Sequence, residues 1–501
     1  MATIDIHDLT FSYEGGAQPV FEHVSLQLDT DWRLGLIGRN GRGKTTLLRL
    51  LQGQYSYCGS IQSPCRFAYF PCPVEEPSRP AGRVAAALCP QAQPWQLQRE
   101  LTQLGLSEAV LLRPFAQLSG GEQTRLLLAA LFLTENCFLL LDEPTDHLDA
   151  EGRRLVGRYL NGKRGFVLVS HDRALLDACV DHILSIECDG LELQRGNYSS
   201  WQQNRQRQES FERTQNERLK KEIDRLERAA ESTARWAACA EKDKKGPARA
   251  GHEMKAGRRA WEGAKAKSLN RRAKAVEHRL QAAAEKKSAL LKRVETAETL
   301  KWKPLPWRGG PLLQAHALAV CYDGRPLFEP IDLELYPGER LALCGPNGCG
   351  KTSLLRLVCG QPLEHTGTFF CGGALRVSRV RQDTDGLTGS LQQLAAHNGW
   401  QQSLFLAILR KLGFARELFD CPVQDYSAGQ KKKVLLAGSL CEQAHLLVWD
   451  EPLNGLDMVA RQQLEELLGT CRPTILFVEH DDVFRRRTAT RQLTLRPAAG
   501  R

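Results

Sequence analysis

At 501 residues, and roughly 100 to 200 residues per domain, the chain holds two or three domains rather than one. Hydrophobic residues make up 42% and charged residues 25%, ordinary globular usage that excludes a fibrous or wholly disordered chain. The net charge is +10, no run approaches the roughly 18 apolar residues of a membrane span, and the start MATIDIHDLT lacks a signal peptide's pattern, so a cytoplasmic protein is expected.

The first apolar run, RLGLIG, leads into GRNGRGKTT (Gly38 to Thr46) and then TLLRLL. That is the strand, turn and helix of a phosphate-binding loop. Gly38, Asn40, Gly41 and Gly43 belong to the turn, where glycines let successive backbone N–H groups face phosphate oxygens at a helix N-terminus. Lys44 is placed to reach the β- and γ-phosphates of a nucleotide, Thr45 to hold Mg²⁺, and Thr46 to complete the phosphate cradle. Downstream, FLLLDEP (Phe138 to Pro144) reads as a buried parallel strand. Asp142 at its end is placed to bind Mg²⁺ through water, and Glu143 to polarise an attacking water. Such a carboxylate pair could instead cap the next helix.

Residues 201 to 303 carry 28 Lys and Arg against 15 Asp and Glu, while the other 398 residues carry 40 against 43. The positive charge is therefore local, and such a block points to a polyanionic partner. Leu219, Ile223, Leu226, Ala230, Thr233 and Ala237, then Ala273, Val276, Leu280, Ala283, Leu290 and Val294, recur at coiled-coil spacing. A turn near Lys245, Gly246 and Pro247 would fold them into an antiparallel hairpin, an arm on the order of 60 Å long at about 1.5 Å per residue. Its far end holds Lys242, Lys244, Lys245, Arg249, Lys255, Arg258, Arg259, Lys265 and Lys267, candidates for RNA phosphates. Trp236 and Trp261 flank that tip, to stack on bases or to hold the helices together.

The remainder repeats the beginning. RLALCG leads into GPNGCGKTS (Gly345 to Ser353), with Gly345, Asn347, Gly348, Gly350, Lys351, Thr352 and Ser353 in the roles above. LLVWDEP supplies Asp450 and Glu451. Lysine to aspartate spans 98 residues in the first copy and 99 in the second, and aspartate to histidine, His171 or His480, spans 29 and 30. Tyr13 and Tyr322 precede their loops by 25 and 23 residues, either to stack on a base or to serve as core strand residues. The sixteen cysteines have no zinc-like spacing and read as reduced core residues, the nearest pair being Cys344 and Cys349. The fold expected is α/β: two phosphate-loop nucleotide-binding domains, 1–196 and 304–501, joined by a basic helical hairpin, 197–303, with its tip at about 242–262.

LSGGEQ (Leu118 to Gln123) and YSAGQ (Tyr426 to Gln430) resemble the signature of ATP-binding cassette ATPases. The resemblance implies ATP hydrolysis with Mg²⁺ at two composite sites, formed by intramolecular pairing within a monomer. Lys44, Asp142, Glu143 and His171 would face Ser427, Gly429 and Gln430; Lys351, Asp450, Glu451 and His480 would face Ser119, Gly120 and Gly121. The family's glutamine after the next strand is present as Gln382, a further Mg²⁺ candidate, whereas AYFPCPV places Cys72 in the first copy. Cys72 offers no amide oxygen, which puts turnover at the first site in question. Ala428 stands where the second signature usually has glycine.

PTDHLD, VSHDRALLD and GNYSSW resemble subfamily F, ABC-F, which has two cassettes in one chain and no membrane domain. That implies a 70S ribosome partner, with the linker entering the tRNA exit site toward rRNA and P-site tRNA. The opening and GQKKKVLLAGSLCEQAHLLVWDEPLNGLD are similar to the Lsa-like branch, which implies protection from lincosamides, pleuromutilins or group A streptogramins. A housekeeping ABC-F factor shares every motif, but several such members carry an extra arm between the glutamine and the first signature, and here only 45 residues, 73 to 117, lie there. A transporter motor would need a membrane partner, and a DNA-repair cassette usually carries closely spaced hook cysteines.

Overall fold

A computed structural model of the chain describes residues 2–13, 19–146, 148–187, 190–242, 275–276, 279, 304–384, 386–414 and 416–498. It divides into two compact units, Met1–Trp201 with Ala297–Arg501, and Gln202–Thr296.

The apolar runs become central strands because a parallel sheet is covered on both faces. In the first cassette the order is Arg66–Phe70, Cys137–Asp142, Phe166–Val169, Arg33–Gly38 and His182–Glu187, all parallel, with Gly190–Arg195 antiparallel at the edge. Alternation along the strand divides the core. Phe138 and Leu140 join Leu34, Leu36, Leu47 and Leu48 on one face, while Leu139 and Leu141 meet the opposite helices around Leu126 and Leu128.

The second cassette repeats this with Val377–Val380, Leu446–Asp450, Ile475–Val478, Arg340–Cys344 and Arg491–Thr494, all parallel. Leu446 and Val448 face one core cluster, Leu447 and Trp449 the other. A small antiparallel sheet lies beside each: Thr3–Phe11 pairs with Phe21–Asp29 and Cys58–Gln62, and Leu313–Tyr322 with Ile331–Leu335 and His365–Cys371. Helices Ala81–Leu88 and Pro94–Gln103 precede the first signature helix, Gly120–Leu131; Leu391–His397 and Gln402–Lys411 precede the second, Ala428–Cys441.

The linker begins as one continuous helix, Tyr198–Lys242, whose 45 residues span about 67 Å at an α-helical rise. Leu219 and Ile223 are half-buried in it. The side chains of the other seam residues of this helix, of Trp236 and of Lys242 lie outside the described residues. So do Lys244, Lys245, Arg249, Lys255, Arg258, Arg259, Trp261, Lys265 and Lys267, and of the second seam only Val276, helical and exposed, is described.

Candidate nucleotide sites

Both phosphate loops lie at the C-terminal ends of their sheets, where the helices Lys44–Leu51 and Lys351–Val358 begin. Gly43 and Gly350 cap these helices in the left-handed region, φ 93° and 96°. A Cβ on Gly43 would come within 2.7 Å of Val20 Cγ1, and one on Gly350 within 3.0 Å of Leu327, so only glycine fits. Gly41 and Gly348, also left-handed, have nothing within 4 Å of that position, leaving the loop backbone open.

Lys44 Nζ donates to Gly38 O at 2.8 Å, Arg39 O at 3.3 Å and Asn40 Oδ1 at 3.3 Å; Lys351 Nζ donates to Gly345 O and Pro346 O, both at 2.8 Å. Burial lowers the Lys44 pKa, opposed by Glu143, Asp457 and Asp142. A buried ammonium ringed by neutral carbonyls suits a polyphosphate, which adds the negative charge that burial calls for. Tyr13 and Tyr322 are 45% and 43% exposed, enough ring face for a base; the Tyr13 hydroxyl lies 2.7 Å from Thr46 Oγ1. Thr46 is buried and Ser353 half-buried at the starts of their helices.

The strands Cys137–Asp142 and Leu446–Asp450 deliver their carboxylates beside these loops. Thr45 donates to Asp142 Oδ2 at 2.9 Å, and Thr352 hydrogen-bonds Asp450. Asp450 Oδ1 is buried without a hydrogen-bond partner among the described residues. These hydroxyl and carboxylate oxygens are the hard donors that Mg²⁺ selects, so the residues fit the ion. Glu143 and Glu451 both adopt left-handed backbone, φ 47° and 46°, costing on the order of 1 kcal/mol each for a non-glycine residue. Glu143 N donates to Val169 O at 2.9 Å and Glu451 N to Val478 O at 3.0 Å, which hold that conformation.

His171 N donates to Glu143 Oε2 at 3.2 Å, and the ring Nε2 lies 3.4 Å from Oε1. Burial pushes Glu143 up to about 8, with Asp146 and Asp142 adding and Arg461 opposing, and its Oε1 has no well-aligned donor among the described residues. Burial holds His171 well below the usual histidine range, so its ring is neutral. In the second cassette His480 Nε2 lies 3.6 Å from Glu451 Oε1, and Gln382 Nε2 donates to Glu451 Oε2 at 2.8 Å. Burial alone would raise Glu451, but His480 and Gln382 outweigh it and the carboxyl sits below its ordinary value.

Strand register explains the difference. Tyr69 pairs with Leu140 and Arg379 with Val448, each two residues before the aspartate, so Cys72 and Gln382 occupy equivalent places three residues on. Cys72 packs against the first core instead of reaching Glu143, and burial raises its thiol pKa. Tyr69 donates to Asp142 Oδ2 at 2.9 Å, a contact that motif spacing does not signal because the second copy has Arg379 there.

The signature serines cap their helices. Ser119 Oγ accepts from Glu122 N while Glu122 Oε2 accepts from Ser119 N, and Ser427 and Gln430 repeat the box. Gly429 meets the first phosphate loop: a Cβ there would lie 3.3 Å from Asn40 Nδ2 and 2.2 Å from Gly455 O. Asn40 Nδ2 donates to Gly455 O at 2.8 Å and Asn40 N to Asp457 Oδ2 at 3.3 Å. Asp457 also accepts from the buried Lys433 at 3.0 Å, which helps hold it below the ordinary aspartate value despite burial. Arg173 pairs with Glu465 at 3.2 Å, both side chains buried, and Arg154 with Asp482 at 3.1 Å. The second signature thus faces the first loop; Ser119, Gly120 and Gly121 open the helix Gly120–Leu131 of the first cassette, and Asn347 and Gly348 lie in the second phosphate loop ahead of the helix Lys351–Val358. Sequence reading passed over Asp457, Lys433 and Arg461, although Asp457 lies in the repeated Leu-Asp that follows each carboxylate pair.

Two phosphate loops, two strand-end carboxylate pairs and a signature helix of one domain facing the loop of the other define a pair of ATP-binding cassettes that hydrolyse ATP. The family described as ABC transporter matches residues 21–146 and 328–454. The chain belongs to the ABC-F family, and no helix among its described residues is long and apolar enough to cross a membrane. It is 30% identical to the ribosome protection protein VmlR of Bacillus subtilis, over 97% of this chain and 85% of that protein. It is 29% identical to the ATP-binding protein Uup of Caulobacter vibrioides, over 96% and 75%. Among solved structures, the archaeal ribosome recycling factor aABCE1 in complex with a ribosomal stalk protein shares the fold at a TM-score of 0.61 and 20% identity, covering 97% of this chain and 87% of that one.

Proposed function

We propose that the chain is a cytoplasmic, ribosome-associated ATPase that protects the peptidyl-transferase centre from antibiotics of the lincosamide, pleuromutilin and streptogramin A type. It would act as a monomer on the 70S ribosome, its linker hairpin (197–303) entering the tRNA exit site beside rRNA and P-site tRNA. ATP hydrolysis would drive release. The observation that carries this reading is the similarity, end to end, to a ribosome protection protein, linker included. The basic tip is suited to RNA phosphates.

In each site the lysine, Lys44 or Lys351, and the glycine-rich backbone bind the phosphates, and the tyrosine, Tyr13 or Tyr322, supports the base. Thr45 with Asp142, and Thr352 with Asp450 and Gln382, would hold Mg²⁺, which when bound supplies charge neutralisation at the phosphates. Glu143 and Glu451 orient the water, each beside its histidine, while Ser427 and Gly429, or Ser119 and Gly121, close over the nucleotide.

The test is a susceptibility panel in a sensitive bacterium with and without the chain. Raised tolerance to at least one of the three drug classes is expected. Unchanged tolerance to all, with slower growth when the protein is absent, would instead favour a housekeeping ABC-F factor.

A further inference from the structure

Arg461 lies in the helix Met458–Cys471 of the second cassette, 7% exposed, and spends its guanidinium on four acceptors. Its Nη1 donates to His171 O at 3.0 Å, across the cassette boundary, and to Asp481 Oδ2 at 3.3 Å; Nη2 donates to Leu453 O and Nε to Leu456 O, both at 3.0 Å. Leu453 and Leu456 bracket the loop that presents Gly455 and Asp457 to Asn40 of the first phosphate loop. Lys433 pins the same loop from the other side through Asp457.

The backbone of His171 is therefore held on both sides of its Cα. Its carbonyl is held by Arg461, and its N–H donates to Glu143 Oε2 at 3.2 Å. Arg461, Glu143, His171, Glu451, His480 and Glu479 line one common cleft. The equivalent residue four places after the first Leu-Asp is Arg153. Its Nε bonds Leu148 O at 3.1 Å and its Nη1 lies 3.7 Å from Asp172, both within its own cassette. The two arginines are thus used differently, and the cross-cassette strut runs toward the first site.

We propose that Arg461 is a positioning residue for ATP hydrolysis at the first site: it ties the His171 carbonyl to the 453–457 loop and so restrains the His171 backbone, whose N–H bonds Glu143, so the Glu143–His171 pair is aligned only when the second cassette is in place. This rests on the assignment of Glu143 and Glu451 as the water-orienting groups. Only arginine suits the position, because a planar fork with five donors can span carbonyls of two domains and a carboxylate at once, whereas a lysine has three donors on a single point. The consequence is a directional dependence. The first site, already lacking a glutamine at Cys72, relies on the partner cassette for its geometry, while the second has Gln382 bonded to Glu451 within its own cassette.

The experiment isolates each site in the full chain. Glu451→Gln leaves the Glu143 site as the source of turnover, and Glu143→Gln leaves the Glu451 site. Arg461→Ala and Arg461→Lys are introduced into both backgrounds, and kcat and KM for ATP are measured. In the Glu451→Gln background Arg461→Ala should lower kcat by about tenfold with a change in KM of about threefold or less, as loss of a charged hydrogen bond that aligns the reacting groups predicts. Arg461→Lys should recover part of that loss. In the Glu143→Gln background the fall should be smaller, about threefold or less. If Arg461→Ala does not fold, Arg461→Lys carries the comparison, since it keeps the charge beside Asp481. Equal losses in the two backgrounds, or none in the Glu451→Gln background, would overturn the role given to Arg461. Normal turnover by the Glu143→Gln/Glu451→Gln chain would remove the glutamate assignment, and this proposal with it.

Discussion

Gln382 Nε2 donates a 2.8 Å hydrogen bond to Glu451 Oε2, whereas the residue at the equivalent place in the first cassette, Cys72, packs into the core and leaves Glu143 Oε1 without a well-aligned donor among the described residues. This side-chain difference, beside Tyr69 against Arg379, makes the two repeated sites chemically unequal. A thiol is a weak donor, and where it is buried against apolar groups it cannot orient a carboxylate.

Cys72→Gln should therefore restore a donor beside Glu143. Turnover of the first site, read in a Glu451→Gln background, should rise, by about tenfold at most for one charge-assisted bond. Loss of ATP binding at that site instead would show that position 72 faces something other than the carboxylate.

Changing both Glu143 and Glu451 to Gln preserves shape and removes the carboxyl groups that orient water and can take its proton. Hydrolysis should fall by about 10²-fold or more while ATP still binds and thermally stabilises the chain. Steady-state phosphate release together with a thermal shift by ATP checks both halves.

Gly429→Ala places a methyl group 2.2 Å from Gly455 O, a backbone atom that cannot yield without moving the loop against Asn40. Stability should drop by about 1 to 3 kcal/mol, and ATP affinity at the first site should weaken. An alanine variant with unaltered melting and unaltered ATP binding would mean that this close approach is not maintained.

Lys432 is 1% exposed, bonded to Arg381 O at 2.7 Å and Asp450 O at 3.1 Å, and burial pushes its ammonium down to about 8, with Glu479, Asp450 and Glu451 opposing. Its folded value is depressed, so between about pH 8 and the ordinary lysine value of about 10.4 the unfolded chain holds a proton that the folded chain has lost. Stability from this group then rises with pH across that window, and its penalty is fully present below it, on the order of 3 kcal/mol in all. Relative to Lys432→Met, the parent should gain stability between pH 7.5 and 9.5 in urea unfolding; parallel pH profiles would contradict it.

Deleting Ala248 to Ala260 removes Arg249, Lys255, Arg258 and Arg259 from the basic tip and keeps both cassettes. ATP hydrolysis without ribosomes should persist, and any drug tolerance conferred by the intact chain should disappear. Retained tolerance would separate protection from the tip.

The repeats, both phosphate loops, the strand-end carboxylates and the signatures were legible in the sequence because each depends on local chemistry: glycines for left-handed turns, apolar runs for covered strands, serine caps for helix starts. Gly43, Lys44 and Ser119 can be read one segment at a time for that reason. The sequence could also register that Cys72 replaces a glutamine, but not where its thiol goes. What only the tertiary structure decided is the set of contacts between residues 24 to 417 positions apart: Tyr69 on Asp142, Asn40 on Gly455 and Asp457, Lys433 on Asp457, and Arg461 on His171 O. No period or spacing encodes these, because they arise from strand register and from the packing of one cassette against the other. Arg153 and Arg461 sit at matched positions in the two repeats, and only the packing makes one of them a strut between domains.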